Sequence, residues 1–319
     1  MGLSLKIFTQ VSLSTITVTS CFLNFCLLRY ILRRSEIHVK DKLTISLAVS
    51  DLMRSLFGYV MEISLRLNDH CNLVGATISL LSFAAINHLV LIMFDRWLII
   101  TQSALGRRYH ASGVAVHLSL AFCWLHATVF AMMPFVGLGA YGLDSDGLRC
   151  QVSWRERGFR HRFYHIMLFF FYFFVPLLLM TTFFVSLRKT IRVSRVAAGD
   201  TFQITTANFI TKQRIKAERR CTWMFTTMSI VFAFAWLPYA IISFCYAFIN
   251  ATTFISSSLE TVAVIPAKAS TIYSPVVIAA YDSGFRRLIR RTMAFKKAAS
   301  VNDVAVIPTV GSRRRPDNS

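Results

Sequence analysis

A single lysine stands in the middle of the last long apolar stretch of the chain. This stretch covers residues 258–281, and its only other charged residue is Glu260. An unpaired charged amine at mid-depth of an apolar helix is costly, and such a residue usually has a function. A desolvated lysine amine is also a good nucleophile toward an aldehyde. Lys268 therefore indicates either covalent binding of an aldehyde or an ion pair with a carboxylate on another helix.

The elements that must position Lys268 can be read from the distribution of charge. Residues 7–28, 70–94, 111–143, 163–187 and 221–259 contain no Asp, Glu, Lys or Arg. Two further apolar stretches, 43–65 and 258–281, contain a few charges. A bilayer core needs roughly 20 apolar residues of helix, and runs of this length are helical rather than stranded. The sequence predicts an all-α membrane protein, a seven-transmembrane helix bundle, and disfavours a soluble protein with buried helices.

The predicted bundle covers residues 1–296. Its last part, from Asp282-Ser-Gly-Phe-Arg-Arg287 onward, resembles the start of a short amphipathic eighth helix at about 283–295. Residues 297–319 are polar and are predicted to form a disordered cytoplasmic tail. The predicted spans are about 6–31, 42–65, 71–101, 112–136, 161–188, 217–248 and 258–281.

The excess of basic residues indicates orientation rather than nucleic-acid binding. Only 16% of the residues are charged, against about 25% in a typical soluble domain, and the net charge is +20. Most of the Lys and Arg residues fall between spans one and two, three and four, and five and six, or after span seven. The positive-inside rule makes that side cytoplasmic and predicts an extracellular N-terminus. The loop 137–161, with four Arg residues on the outer side, is an exception.

Two cysteines differ from the other five because both lie on the outer side. Cys71 opens the third span and Cys150 lies in the loop before the fifth, where an oxidising environment allows a disulfide. The other Cys residues are interpreted as packing residues. Asn250 begins the sequon Asn-Ala-Thr in an outer loop and is a predicted glycosylation site. No metal site is predicted.

Prolines mark three spans at mid-depth. Pro176, Pro238 and Pro275 each remove a backbone hydrogen bond and permit a kink in the helix. They are predicted to be conformational elements.

Several polar and aromatic residues, taken as an ordered set, resemble the rhodopsin-like family of G-protein-coupled receptors over about residues 6–295. Asn24 and Asp51 stand at the family's polar positions in spans one and two, and Cys71 lies 25 residues before Arg96. Asp95-Arg96-Trp97 resembles the D-R-Y motif, and Ala235-Trp236-Leu-Pro238 resembles C-W-x-P. The resemblance implies a multi-pass plasma-membrane receptor, not an enzyme, that signals through a heterotrimeric G protein, with arrestin as a further candidate partner.

The same resemblance implies an inactive-state lock at the cytoplasmic ends of spans three and six. In it, Arg96 pairs with Asp95 and with Glu218.

The surroundings of Lys268 resemble the opsin branch of that family. Lys268 lies seven residues before Pro275, as in the opsin segment whose lysine forms a Schiff base with retinal. Tyr141 and Asp144 precede Cys150 in a pattern similar to the opsin outer loop. The resemblance implies a light-sensing receptor that binds retinal, expected as the 11-cis isomer, on Lys268.

Helical spacing predicts the side chains that surround this ligand. Aromatic walls suit a polyene, although part of the Phe-rich run 169–174 is expected to face lipid. The predicted pocket residues are Phe232, Trp236 and Tyr239 in span six, Phe169, Tyr172 and Phe173 in span five, and Ile78, Ser79, Ser82 and Phe83 in span three.

A protonated Schiff base needs a nearby anion as its counterion. The glutamate that serves vertebrate visual opsins is replaced here by Val74, which favours an invertebrate or cnidarian-like opsin. Asp144 and Glu62 remain as candidate counterions, and Glu62 is slightly favoured because a membrane carboxylate needs a cation. Arg54 shares a helix face with Glu62. It can pair with Asp51 or Glu62, or point at Lys268 and shift absorption toward the ultraviolet.

One motif departs from the family. The family's N-P-x-x-Y reads Ser274-Pro-Val-Val-Ile278, and Phe184 stands where a partner tyrosine is common. Two alternatives to a signalling opsin therefore stay open. One is a retinal photoisomerase with weak signalling, and the other is a ligand-activated receptor that leaves Lys268 free.

Overall fold

The structure is a computed structural model that describes residues 2–64, 67–145, 147, 149–199, 206–249 and 255–304. Within these ranges, seven helices are long and apolar enough to cross a membrane, which confirms the predicted seven-helix bundle. Asn250, the predicted glycosylation site, and residues 305–319 of the predicted tail lie outside the described residues.

The helices are labelled in chain order, and four of them include a π-helical or 3-10 segment. They are α1 (Gly2–Leu32); α2 (Val39–Met53, continued by a π segment Arg54–Tyr59 and by Val60–Ser64); α3 (Leu67–Thr101); α4 (Ser103–Ala111); α5 (Gly113–Met132, with a 3-10 turn Met133–Val136); α6 (Phe159–Phe169, continued by a π segment Phe170–Phe174 and by Val175–Gly199); α7 (Thr206–Phe244, with a π segment Cys245–Ile249); α8 (Ser257–Tyr281); and α9 (Ser283–Val304).

Several helices differ from the sequence prediction. The fifth-span helix α6 continues to Gly199, past the predicted end at 188, and α7 begins at Thr206, before the predicted start at 217. The short helix α4 between the third and fourth spans was not predicted, and it packs so closely that a Cβ on Gly106 would lie 2.9 Å from the Leu98 carbonyl oxygen. The last helix, α9, continues to Val304, so residues 297–304 are helical where the sequence analysis placed a disordered tail. No Gly or Pro interrupts residues 285–304, so nothing in the backbone chemistry ends the helix at 295.

A short hairpin, called the outer hairpin below, covers one end of the bundle. Strand β1 (Tyr141–Leu143) pairs antiparallel with β2 (Cys150–Val152), with Leu143 opposite Cys150. A disulfide joins Cys71 at the start of α3 to Cys150, as predicted. Burial raises the pKa of Tyr141 to about 12, and its hydroxyl donates to the Ala131 carbonyl oxygen at 2.8 Å. The hairpin is therefore fixed to both α3 and the end of α5.

Two π segments lie where the bundle holds its functional side chains. The segment in α6 ends at Phe174, two residues before Pro176, whose missing N–H leaves a carbonyl of the preceding turn without its α-helical partner. The segment in α2 lies between Asp51 and Glu62. A wider turn changes the helical phase of the residues that follow, so it contributes to the direction in which Glu62 points.

The interior of the bundle contains polar bonds between helices, and its outside is apolar. The Asn24 side-chain amide donates to the Thr271 carbonyl oxygen at 2.9 Å and so joins α1 to α8. In the Phe-rich run, Phe169 and Tyr172 are buried, whereas Phe170 and Phe174 are about half exposed on the outer surface of the bundle. That division agrees with the expected lipid-facing share of the run.

Candidate ligand cavity and its ion pairs

A cavity of about 440 Å³ lies between α2, α3, α6, α7 and α8, beneath the outer hairpin. It is lined mainly by aromatic and aliphatic side chains, and Lys268 lies in its wall. All ten predicted pocket side chains line this cavity, namely Ile78, Ser79, Ser82, Phe83, Phe169, Tyr172, Phe173, Phe232, Trp236 and Tyr239, and Pro176 lines it as well. Helical spacing in the sequence therefore identified cavity side chains on three different helices.

Lys268 is buried and forms an ion pair with α2. Its Nζ atom donates to Glu62 Oε2 at 2.7 Å, and it lies 4.9 Å from the centre of the Tyr59 ring. The Tyr59 hydroxyl donates to the Lys268 carbonyl oxygen at 2.8 Å. These contacts hold the lysine at the junction of α2 and α8 with its nitrogen at the cavity wall.

Glu62 is only 2% exposed, so its carboxylate depends on partners inside the protein. The Lys268 nitrogen takes one oxygen, while Oε1 has no hydrogen-bond partner within the described part of the chain. An ion pair with so little solvent around it is stable only while both partners remain. The sequence analysis had favoured Glu62 over Asp144 on this ground.

Asp144 has a different partner. Its carboxylate accepts from Arg149 Nε at 2.5 Å, and Arg149 Nη2 donates to Thr261 Oγ1 at 2.9 Å. Arg149 lies in the cavity wall. It forms an ion pair with Asp144, so the carboxylate of Asp144 is neutralised by a residue of its own hairpin. The structure thus separates the two candidate acids, because Glu62 meets Lys268 directly and Asp144 is paired with Arg149.

Stacked and edge-on rings form the walls of the cavity. Phe232 stacks on Trp236 with ring centres 5.7 Å apart, and Phe83 stacks on Tyr172 at 4.0 Å. The Trp154 indole, from the segment after β2, donates to the Tyr239 hydroxyl at 2.8 Å. A flat, conjugated ligand would meet ring faces on several sides here.

Arg54 is fully buried at the floor of the cavity and pairs with Asp51. Its Nη2 atom donates to Asp51 Oδ1 at 2.9 Å and to Ser270 Oγ at 3.1 Å, and Nη1 donates to Ser82 Oγ at 3.0 Å. Ser270 Oγ also accepts from the Trp236 indole at 3.3 Å. Of the partners left open by the sequence, the structure selects Asp51.

Comparison with known proteins identifies the family. The family described as 7 transmembrane receptor (rhodopsin family) matches residues 23–277. The chain belongs to this family. It is 25% identical over 300 residues to the visual pigment-like receptor peropsin of Mus musculus, covering 91% of this chain and 86% of that protein. It is 26% identical over 285 residues to a rhodopsin of Oryzias latipes, covering 86% of this chain and 77% of that protein.

The fold agrees with these similarities. Squid rhodopsin superposes with a TM-score of 0.80 at 18% identity, covering 97% of this chain and 93% of that structure. The chain is thus an opsin-type receptor of the rhodopsin family, and such proteins are multi-pass membrane receptors that couple to heterotrimeric G proteins.

A second polar cluster lies at the other end of the receptor. Arg96 donates to Asp95 Oδ2 through Nη2 at 2.5 Å and Nε at 3.0 Å, and to Glu218 Oε2 at 3.1 Å. His110 Nε2 lies 2.6 Å from Asp95 Oδ1. The predicted lock residues are together, and His110 of α4 is an additional member.

Sequence reasoning missed several side chains of the receptor that meet the cavity or the lock. Trp154 and Arg149 come from the outer loop, whose path no helical period describes. Tyr59 contacts Lys268 in space although the two residues are 209 apart in sequence, and it stands in the π segment of α2. His110 carried no signal because α4 itself was not predicted. Only Tyr59, three residues before Glu62, had a positional hint.

Proposed function

We propose that this receptor is a light-sensing opsin that holds retinal on Lys268, with Glu62 as the counterion, and activates a heterotrimeric G protein. One observation carries the proposal. The Lys268 nitrogen lies in the wall of a mainly apolar cavity, 2.7 Å from a buried carboxylate.

The cavity fits a ligand of this class. Its volume of about 440 Å³ lies in the roughly 300–1,000 Å³ range of small-molecule sites. Trp236, Phe232 and Tyr172 present ring surfaces to it, which suits a conjugated hydrocarbon. Lys268 supplies a nucleophile for an aldehyde at one wall, and the aromatic rings supply contacts for a polyene.

Retinal, when bound, supplies an aldehyde that condenses with an amine with loss of water, and a polyene that light isomerises. The protein supplies the charge balance at the Lys268 nitrogen. Glu62 stabilises a positive charge there because opposite charges this close in a buried site attract strongly. Val74 is fully buried and provides no acid, and Asp144 is paired with Arg149. These contacts support Glu62 as the counterion and the proposal that the receptor is not of the vertebrate visual type.

The cytoplasmic lock supports signalling through a G protein. Arg96 is held by Asp95 and Glu218, so the resting structure ties α3 to α7. Trp236 and Glu218 both belong to α7, so a shift of α7 at the cavity would release Glu218 from Arg96. In this proposal the N-terminus lies outside the plasma membrane, 11-cis-retinal is the resting ligand, and arrestin is a further partner.

The test is an absorption spectrum of the purified receptor after incubation with 11-cis-retinal, in the dark and after light. We expect a light-sensitive band that is lost in Lys268→Ala. Glu62→Gln should shift the band to shorter wavelength, because without its anion the Schiff-base nitrogen loses its proton and the neutral imine absorbs at shorter wavelength. Asp144→Asn is the matched control, and it should leave the band nearly unchanged.

The controls separate the alternatives. A band of equal size in Lys268→Ala would contradict covalent binding at this lysine. No band in any folded protein would instead favour a receptor for a diffusible ligand. A shift in Asp144→Asn with none in Glu62→Gln would reassign the counterion to the loop.

A retinal photoisomerase is the second candidate, and the end of α8 favours it. Ile278 is buried where the family has a tyrosine, and Phe184 of α6 also lacks a hydroxyl, so no hydroxyl pair can join these positions. Light-driven nucleotide exchange on added G protein, measured beside release of isomerised retinal, distinguishes the two activities. Isomer release over repeated cycles without nucleotide exchange would select the photoisomerase.

A further inference from the structure

The hydroxyl of Ser243 is a polar group of the ligand cavity that the fold itself does not use. Ser243 lies in α7, one turn after Tyr239, lines the cavity and is only 2% exposed. Its Oγ atom has no hydrogen-bond partner within the described part of the chain. A buried hydroxyl without a hydrogen bond lowers the stability of a protein, so its presence in the wall needs an explanation.

Other helical serines of this receptor bond to their own helix. Ser229 Oγ, also in α7, donates to the Phe225 carbonyl oxygen at 3.1 Å, and Ser82 Oγ donates to the Ile78 carbonyl oxygen at 2.7 Å. A bond to the carbonyl four residues earlier is an ordinary way for a serine inside a helix to be satisfied. Ser243 does not form it, so its hydroxyl is available to a group inside the cavity.

The charged side chains in the cavity wall are already paired within the protein. The pairs are Arg54 with Asp51, Arg149 with Asp144, and Lys268 with Glu62. A neutral polar group on a ligand gains little by competing with these ion pairs, whereas at Ser243 it meets a hydroxyl without a partner.

The cavity has Lys268 on one side and Ser243 on another. Lys268 is held at the junction of α2 and α8 by Glu62. Ser243 is on α7, and the ring of the adjacent Phe244 lies 5.5 Å from the ring of Phe169 in α6. A ligand attached to Lys268 therefore extends from α2 and α8 toward α6 and α7, and its far end is the part that meets Ser243.

The hydroxyl of Tyr239 adds a second polar contact on the same face of α7. Tyr239 and Ser243 are four residues apart, and both line the cavity. The Tyr239 oxygen accepts the Trp154 indole proton at 2.8 Å, so its own proton remains for another acceptor. Because a hydroxyl group both donates and accepts, one hydroxyl on a ligand can accept from one of these side chains and donate to the other.

We propose that the preferred ligand of this receptor is a retinal whose ring carries a hydroxyl group, and that Ser243 and Tyr239 bind this hydroxyl. The proposal rests on the retinal binding proposed above, because Lys268 fixes which end of the ligand reaches α7. Retinal without a ring hydroxyl still binds through Lys268, but it leaves Ser243 buried and unpaired.

The test offers the purified full-length receptor an excess of an equimolar mixture of 11-cis-retinal and its 3-hydroxy or 4-hydroxy derivative. The bound retinoid is then extracted and quantified by chromatography. The wild-type receptor should take up one of the hydroxylated forms about fivefold in excess over retinal, since one neutral hydrogen bond contributes a factor of that order. Ser243→Ala should reduce this ratio to about one.

The matched control is Ser229→Ala, the same change at a buried serine of the same helix that does not line the cavity. It should keep the wild-type ratio. A ratio reduced as much by Ser229→Ala as by Ser243→Ala would overturn the assignment to Ser243.

The thermal decay of the dark absorption band provides a second readout, in which the two ligands should respond with opposite signs. With retinal bound, Ser243→Ala removes a buried hydroxyl that has no partner, so the band should decay more slowly. With the preferred hydroxylated retinal bound, the same change removes a hydrogen bond, so the band should decay faster. A change of the same sign with both ligands would mean that Ser243 has only a structural role, contrary to the proposal.

The uptake measurement also separates this proposal from the one on which it rests. Pigment formed equally well from retinal and from both hydroxylated forms would overturn the ring-hydroxyl site while retinal binding at Lys268 stands. No pigment from any of the three retinoids would overturn both.

Discussion

At the scale of single residues, Arg54 is the most unusual feature of the receptor. A guanidinium in the membrane interior is costly unless its charge is paired and hydrogen-bonded. Arg54 donates to Asp51, Ser82 and Ser270 on three helices, while its Nε atom has no hydrogen-bond partner among the described residues. Ser270 Oγ also accepts from the Trp236 indole. Arg54 therefore connects α2, α3 and α8 beneath the proposed ligand, with its charge balanced by Asp51.

Replacing Arg54 should affect stability more than colour. Arg54→Met leaves the Asp51 carboxylate buried without a cation, which should cost about 3–5 kcal/mol of unfolding free energy. Asp51→Asn/Arg54→Met removes both charges and should regain most of that loss. The measurement is detergent-solubilised thermal unfolding of the three proteins.

The absorption band provides the complementary readout for Arg54. Because Asp51 neutralises it, Arg54→Met should leave the retinal band within a small shift of its original position. A large shift to longer wavelength would mean that Arg54 acts on Lys268 directly, contrary to the ion pair in the structure.

In the unfolding measurement, an Asp51→Asn/Arg54→Met variant as unstable as Arg54→Met would show that the Asp51–Arg54 pair is not what stabilises this region.

The partner of a charged residue was predictable from the sequence where its position within a span left one partner of opposite charge. Lys268 and Glu62 stand out because a lysine and a carboxylate deep in apolar stretches each need a partner of opposite charge. Arg54 left three partners open, since its long side chain reaches along or across its helix. Asp144 was ambiguous because its partner, Arg149, belongs to a loop whose path depends on the Cys71–Cys150 disulfide.

At the scale of elements, the outer hairpin is the part that closes the cavity. The disulfide holds its β2 strand to α3, and Glu260 of α8 holds its other side. Glu260 accepts from Gln151 at 2.7 Å, from Arg155 at 3.2 Å and from the Tyr246 hydroxyl at 3.1 Å. One buried carboxylate thus joins the hairpin to α7 and α8.

Removing that carboxylate should loosen the hairpin without unfolding the bundle. Hydrogen bonds to a charged group contribute about 1.5–3 kcal/mol each, so Glu260→Ala should speed amide exchange in 141–152 by at least tenfold. Hydrogen–deuterium exchange with mass spectrometry measures this segment directly. Glu156→Gln, an exposed acid of the same loop with no ion pair among the described residues, is the control. Equal exchange in all three proteins would contradict the role of Glu260.

Elements were predicted where composition marks them and missed where it does not. The seven spans follow from uncharged length. The helix α4 is short and polar, so no apolar period indicates it, and its packing relies on the small Gly106. The π segment at Arg54–Tyr59 depends on contacts with α1, α3 and α8, which a single helix sequence does not contain.

At the scale of the whole molecule, one helix connects the cavity to the lock. Trp236 and Glu218 both belong to α7 and are 18 residues apart, which is about 27 Å along a helix. Trp236 meets the cavity and Ser270, and Glu218 meets Arg96. A displacement of α7 at the cavity can therefore break the Arg96–Glu218 ion pair at the opposite end of the bundle while the helix between them moves as a unit.

The lock should hold the resting state with a measurable strength. The Glu218 side chain is 38% exposed, so solvent weakens its pair with Arg96 to about 1 kcal/mol, which corresponds to roughly a fivefold shift of the equilibrium between inactive and active states. Glu218→Gln should raise light-independent nucleotide exchange on G protein by about that factor.

A His110 variant tests whether the lock depends on the Arg96–Glu218 pair alone or on the wider network that includes Asp95 and His110. Because His110 holds the other oxygen of Asp95, His110→Phe should free that carboxylate to follow Arg96, and the rise in dark exchange should be smaller than in Glu218→Gln. Glu36→Gln, an exposed acid between α1 and α2, should leave exchange unchanged. If Glu218→Gln matches Glu36→Gln while light still activates both, α7 does not restrain the receptor through Arg96. The coupling between the cavity and the lock must then run through another helix that reaches both, and α3 does so, because it bears Ser82 at the cavity and Arg96 at the lock.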